Sequence, residues 1–312
     1  MNKTQVVYLF PGQGAQAVGM GKAFYDQCAE SREIYKRANT HLGFDLTALC
    51  FEGPQETLTN TAICQPALFV TSIAAVEAWR ARFPHLTPVG CAGLSVGELT
   101  ALAVAGAFSL TDGLYLVQAR ADAMAECAVH HPGTMLAVIG FTRGVLEPIC
   151  RQSDTVMANI NAPDQIVLSG TVPAIAHAEA LVKAQGAKRA MRLDVAGAFH
   201  SPLMQPAAEA FRKALAKVTI HAPKYPVVSN VTAEPMRDPD AIRGLLVKQI
   251  VSSVLWEPSM RWLIQQGATT CVEFPPARIL TGLLRRIDSA VKGLALDEPA
   301  DFEKFSPAPL NA

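Results

Sequence analysis

A serine between two glycines, Gly93-Leu94-Ser95-Val96-Gly97, is the strongest chemical signal in the chain. An apolar segment precedes it, and a helix-prone segment, residues 98–107, follows. A sharp strand-to-helix turn crowds its flanking backbone, and glycine relieves that crowding. The serine hydroxyl is then pushed into the open. The new helix aims its N-terminal amides at whatever the serine attacks. The same five residues also fit a plain glycine-rich turn, so the partners of Ser95 decide the reading.

A serine hydroxyl is a poor nucleophile until a base takes its proton. Of the seven histidines, His200 in Gly197-Ala198-Phe199-His200-Ser201-Pro202 is best placed. It follows an expected strand and opens a helix at a domain junction, where clefts form. The other histidines read as surface or core residues. Acyl chemistry also needs donors for an oxyanion. The amide of Val96, directly after the serine, is one. The loop Pro11-Gly12-Gln13-Gly14-Ala15-Gln16 is a source of another. In a parallel sheet, the loops at the carboxyl ends of the strands line one crevice. Arg120 stands in an otherwise apolar helical segment without a facing acid at helical spacing: Asp122 is two residues on and Glu126 six. A helix-surface arginine is the plain reading. A partly buried one wants a bidentate carboxylate, which a substrate can supply.

The elements that must hold these residues read as follows. Residues 6–10 form a buried strand ended by Pro11-Gly12. Helical patterning dominates the next 80 or so residues, including a helix over 67–82 that starts after Pro66. Residues 89–93 are the strand before the serine. Thr111-Asp112 reads as the cap of a helix over 113–128. A different rhythm then gives strand 134–140, helix 144–152, strands 156–160 and 165–169, helix 172–185 and strand 188–193. That β-α-β-β-α-β order is a ferredoxin-like unit. It reads as an insertion, because helix-rich α/β patterning resumes at Ser201. A short strand at Val227-Val228, a helix over 243–251, a last strand over 270–274 and a last long helix over 279–287 complete the pattern. Alternating strands and helices predict a largely parallel sheet covered on both faces. The tail from Pro299 reads as loose.

With 312 residues, 50% of them hydrophobic and 17% charged, the chain is long enough for a large core. Twenty-seven basic and 27 acidic residues cancel, and no basic stripe points to nucleic acid. No stretch of about 18 uninterrupted apolar residues predicts a membrane span. The N-terminus reads as a strand rather than a secretory leader. Seven scattered cysteines without C-x-x-C spacing read as small apolar residues in a reducing compartment. No metal-ligand cluster is expected.

Taken in order, the motifs resemble those of the malonyl-CoA:acyl carrier protein transacylase family. They are Phe10-Pro11-Gly12-Gln13-Gly14-x-Gln16, Gly93-Leu94-Ser95-Val96-Gly97-Glu98 and Gln118-Ala119-Arg120. Asn161 with Ile166-Val167-Leu168-Ser169-Gly170 follows, then Gly197 to Met204, Ser229-Asn230-Val231-Thr232, and Gln249 with Trp256. The resemblance runs from Val7 to about Ala295. It implies an α/β-hydrolase-like large domain (1–129 and 197–312) carrying a ferredoxin-like small domain (130–196). It implies ping-pong transfer of malonyl from malonyl-CoA to the phosphopantetheine thiol of acyl carrier protein in fatty acid biosynthesis. Ser95 is the implied nucleophile and His200 the base. Backbone amides of Gln13 and Val96 hold the oxyanion, and Arg120 clamps the malonyl carboxylate. By the same resemblance, Gln16, Leu94, Asn161 and Phe199 are expected to line the pocket, and the backbone carbonyl of Gln249 is expected to orient His200 in place of an acid.

No cofactor is implied beyond malonyl-CoA as substrate. A cytoplasmic monomer is the expected form, with no membrane or nucleic-acid partner. Two departures stand out: Leu94 where the family often has histidine, and Pro275-Pro276-Ala277 where it usually has glycine-proline-glycine. Stand-alone transfer to a polyketide synthase and a malonate-decarboxylase subunit share the same motifs. A serine esterase or thioesterase shares the elbow and, with Asp194 before His200, the order Ser, Asp, His.

Overall fold

A computed structural model describes residues 5–305. Two sheets organise it. The first has six strands in the order β10-β9-β1-β2-β7-β8: β1 is Val6–Phe10, β2 Gly90–Gly93, β7 Val227–Val228, β8 Pro235–Met236, β9 Thr270–Glu273 and β10 Lys292–Ala295. All neighbours pair parallel except β7 with β8. The second sheet is antiparallel, in the order β4-β5-β3-β6: β3 is Thr134–Ile139, β4 Val156–Ala162, β5 Gln165–Gly170 and β6 Arg189–Arg192.

The period-2 geometry of a strand sends alternate side chains to opposite faces. In β1, Val6, Tyr8 and Phe10 enter the larger core with the helix Thr61–Arg82. Val7 and Leu9 enter a second core with the helices Trp256–Gln265 and Ile279–Ile287. Both faces are therefore covered, which explains why VVYLF is an uninterrupted apolar run. The antiparallel sheet has its own core, built from Leu136, Val138, Ile166 and Leu168 with Ile149, Ile175 and Val182. It joins the rest through backbone bridges Pro132–Gly197 and Asn159–Val254 and an Arg286–Asp164 ion pair of 2.6 Å.

Several expectations are corrected. Strands β8 and β10 were not foreseen, because two residues, or four with only Leu294 well buried, carry no apolar pattern. The long helix begins at Thr61, not after Pro66. A proline inside a helix leaves the carbonyl four residues back without its donor. Here that carbonyl, Ala62 O, accepts from the Gln118 side chain at 3.3 Å. This helix is apolar enough to span a membrane by length and composition, but 83% of its apolar window is buried inside the fold. The next long helix spans Leu110–His130 and is capped by Ser109, whose hydroxyl accepts from Asp112 N, rather than by Thr111-Asp112. Residues 299–305 are not loose. Phe302 and Phe305 pack on Trp79 with ring centroids 5.3 and 5.0 Å away. The expectation for the tail beyond 305 lies outside the described residues.

At the C-terminal end of β2 the chain turns directly into the helix Val96–Val104. A Cβ on Gly93 would collide with Gly97, and one on Gly97 with the carbonyl of Phe10. Only glycine lets this turn lie against the end of β1. The Pro275-Pro276-Ala277 departure follows β9. Glu273 ahead of it is buried and caps the helix Ile279–Ile287, accepting from Leu280 N and Thr281 N at 2.8 Å each. Pro275 O accepts from Ser72 at 2.7 Å, so the altered loop is anchored to the long core helix.

Candidate active site

Ser95 has φ 55° and His200 φ 56°, both in the left-handed region that L-residues rarely adopt. Such backbone persists only where its surroundings over-determine it. For Ser95 the restraint is Asn230, whose Oδ1 accepts from Ser95 N at 2.8 Å while its Nδ2 donates to Gly93 O at 2.8 Å. One side-chain amide thus grips both sides of the elbow.

Ser95 Oγ lies 2.8 Å from His200 Nε2, and His200 Nδ1 lies 2.9 Å from the carbonyl of Gln249. A carbonyl can only accept, so Nδ1 carries the proton and Nε2 offers its lone pair to the serine hydroxyl. Asp194 is exposed and makes no hydrogen bond to His200 among the described residues. The Ser-Asp-His order of an esterase therefore has no counterpart in space.

Burial pushes the His200 imidazole down to about 4, the Arg120 charge adds to this, and hydrogen bonds to the Gln249 and Ser252 backbone oppose it. The base is thus neutral, and competent, at physiological pH. An unfolded histidine titrates near pH 6.5, so between about 6.5 and 4 the unfolded chain binds the extra proton and the native state does not. Stability falls as pH drops through that window. Replacing His200 with glutamine removes this term. Urea unfolding is expected to show the variant gaining on the wild type between pH 7 and 4.5, and a pH-independent difference would contradict the burial of a neutral imidazole.

Arg120 is 1% exposed. Its Nη1 donates to Gln65 Oε1 at 2.6 Å, and its Nη2 to Ser95 Oγ at 3.0 Å and Gln249 Oε1 at 2.9 Å. Its Nε has no partner, and no carboxylate lies within ion-pair distance of the guanidinium among the described residues. Burial pushes this side chain down to about 10, against the attraction of Glu98, and leaves it charged at neutrality. A buried cation held only by neutral groups and touching the nucleophile lacks the anionic partner that would offset its desolvation.

The amides of Gln13 and Val96 donate to no protein group among the described residues. Gly12 packs so closely on Leu94 that a Cβ there would strike the Leu94 carbonyl, which brings the loop after β1 against the elbow. A cleft of about 380 Å³ opens beside His200, walled by Val156, Pro202, Val231, Lys248 and Leu255. It lies between the antiparallel sheet and the end of the helix Pro239–Gln249.

The remaining expected pocket residues are placed less tightly. Gln13 donates its side chain to Thr61 Oγ1 at 3.2 Å, and Gln16 folds back to accept from Gly14 N at 2.7 Å. Leu94 is half-buried against the second core. Asn161 stands in β4 with a buried, unpartnered Oδ1 and no hydrogen bond to Ser95, His200 or Arg120 among the described residues. Phe199 is packed in the larger core directly before His200. Gln65 was missed altogether: it precedes Pro66, and the expected helix start hid it. Asn230 and Glu98 were visible only as motif members, without a role.

The family model described as acyl transferase domain matches residues 7–294. A malonyl CoA-acyl carrier protein transacylase of Bacillus subtilis is 39% identical over 305 residues, covering 96% of each chain. The solved malonyl CoA-acyl carrier protein transacylase of Coxiella burnetii superposes with a TM-score of 0.94 at 36% identity, over 97% of this chain and 96% of that one. A solved complex of a type II PKS acyl-carrier protein with its malonyl-transacylase matches with a TM-score of 0.93 at 32% identity, over 96% of this chain and 98% of that one.

Proposed function

The chain belongs to the acyl transferase domain family, and from that premise we infer that it is a malonyl-CoA:acyl carrier protein transacylase serving fatty acid biosynthesis. The observation that carries the choice of acyl group is Arg120: a buried guanidinium, without a carboxylate partner among the described residues, bonded to the nucleophile itself. An acyl group ending in a carboxylate completes it; an acetyl group does not.

The chemistry follows from the hydrogen bonds. Ser95 Oγ attacks the thioester carbonyl while its proton passes to His200 Nε2. The developing imidazolium is held by the Gln249 carbonyl. Negative charge on the former carbonyl oxygen faces the free amides of Val96 and Gln13. Collapse expels the CoA sulfur, which takes the proton from His200, and leaves a malonyl ester on Ser95 with its carboxylate at Arg120. The phosphopantetheine thiol of acyl carrier protein then gives its proton to the same nitrogen and attacks the ester, and Ser95 Oγ leaves, taking that proton back from His200. No bound cofactor enters any step.

The large, mostly parallel sheet and its helices are read as an α/β-hydrolase-like domain, residues 1–129 and 197–312, and the antiparallel unit, 130–196, as a ferredoxin-like domain. The β4-β5-β3-β6 order supports the second. Gln16, Leu94, Asn161 and Phe199 are proposed to line the acyl pocket. We place the enzyme in the cytoplasm as a monomer, with malonyl-CoA and acyl carrier protein as its partners.

Incubation with malonyl-CoA is expected to yield a malonyl-Ser95 adduct by peptide mass spectrometry, discharged rapidly by holo acyl carrier protein and slowly by water. Discharge to water as fast as to the carrier protein would make it a hydrolase instead.

A further inference from the structure

The reaction as derived leaves unused a buried ionisable group that is hydrogen-bonded to Gln249. Glu98, in the first turn of the helix Val96–Val104, is 0% exposed and contacts neither Ser95 Oγ nor His200 by hydrogen bond. Its Oε2 accepts from Gln249 Nε2 at 2.7 Å and from Asn230 N at 3.0 Å, while Oε1 has no partner among the described residues.

Gln249 serves both the base and the carboxylate-binding arginine at once. Its backbone carbonyl sets the tautomer of His200, and its side-chain Oε1 holds Arg120. The side-chain amide has unlike ends, so its orientation matters. Nε2 faces acceptors only: Glu98 Oε2, Ser95 O at 3.0 Å and Asn230 Oδ1 at 3.3 Å. Turned over, the amide would aim N–H groups at a guanidinium and a carbonyl at three acceptors. The shortest of the three contacts is the one to Glu98.

Resting on the transacylase reading above, we propose that Glu98 is a positioning residue that acts through Gln249. Its Oε2 holds that amide in the orientation that aims Arg120 at the acyl carboxylate and keeps the Gln249 carbonyl on His200. What matters is an acceptor at this point in space, not its charge. The charged group that acts on it is Arg120, from the helix Leu110–His130; its hydrogen-bond partners Gln249 and Asn230 are neutral. Burial pushes the Glu98 carboxyl up to about 7, with Gln249, Asn230 and Arg120 opposing, so both forms exist near neutrality. Oε2 accepts in either form.

Two variants separate acceptor from charge. E98Q removes the charge and keeps an acceptor in place. E98D keeps the charge and withdraws the acceptor by one methylene. Steady-state kcat and KM are measured with malonyl-CoA and acetyl-CoA, using holo acyl carrier protein. E98Q is expected to keep the malonyl-over-acetyl preference within about threefold, whereas E98D loses about tenfold or more of it, a change worth about 1.4 kcal/mol. E98D is also expected to lose kcat on both substrates as the hold on His200 loosens. A purely structural carboxylate would lower thermal stability without moving the preference. The inference is overturned by an E98Q as impaired in preference as E98D, or by a folded E98D that keeps the wild-type preference. If E98D is not recovered folded, E98Q decides alone. Wild-type enzyme in the same assay separates the two levels: no acyl exchange by it overturns the transacylase reading as well, while normal exchange confines any failure to Glu98.

Discussion

Ser95→Ala is expected to abolish the covalent malonyl-enzyme and to lower turnover by about 10⁴-fold or more, the loss typical when a nucleophile is removed from a cooperating set. The structure says why little should remain. With no hydroxyl at 2.8 Å, His200 has nothing to deprotonate, and the free amides of Gln13 and Val96 have no anchored acyl group to polarise. Fold and binding should survive. Ser95 is half-buried, its backbone is held by Asn230 through main-chain atoms, and Arg120 keeps Gln65 and Gln249 after losing Ser95 Oγ. Intact-protein mass spectrometry after exposure to malonyl-CoA gives the answer directly. A stable malonyl adduct on the alanine variant would move the nucleophile elsewhere.

Arg120→Ala is the second large effect, and its signature is selectivity. A desolvated ion pair that loses one partner costs about 2–5 kcal/mol. That corresponds to a fall in malonyl-CoA kcat/KM of roughly 30-fold to several thousand-fold. Acetyl-CoA presents no carboxylate, so its rate should change far less and the preference for malonyl should collapse. A lysine is not expected to restore it, since a single ammonium cannot serve Gln65, Gln249 and a carboxylate with the fixed fork of a guanidinium. The alanine variant also leaves the acceptors Gln65 Oε1 and Gln249 Oε1 unfilled in the core, at about 1–3 kcal/mol each where no water enters. Thermal unfolding therefore has to accompany the kinetics. A folded variant that still prefers malonyl-CoA would remove Arg120 from the clamp.

The parts of this site that could be read in the sequence are those with a local signature. Ser95 sits in a pentapeptide whose glycines answer to backbone collisions, and VVYLF answers to a strand covered on both faces. His200 and Arg120 were found as candidates, but their distances to Ser95 come from packing between segments 25 and 105 residues away. Gln65 and the side chain of Gln249 had no signature at all. Each is a polar residue inside a helix, and what makes it functional is a neighbour 55 or 129 residues off in the chain. The edge strands β8 and β10 were illegible for the opposite reason, being too short for any periodicity. The order of residues 299–305 has no local signature, because Phe302 and Phe305 are apolar residues in a polar context and their partners, Trp79 and Phe83, are remote.

The group that orients His200 is a peptide oxygen, Gln249 O, at the end of the helix Pro239–Gln249. Every amino acid carries that atom. A saturating codon-by-codon survey of this gene would therefore score a dyad of indispensable reactive side chains and never uncover the third member. Damage at position 249 would report the loss of its side chain, which is a different job. Only chemistry that edits the main chain, such as an amide-to-ester exchange after residue 249 that weakens the carbonyl as an acceptor, could expose it. The same invisibility protects the enzyme: no amino-acid substitution at 249 can delete that acceptor, only displace it.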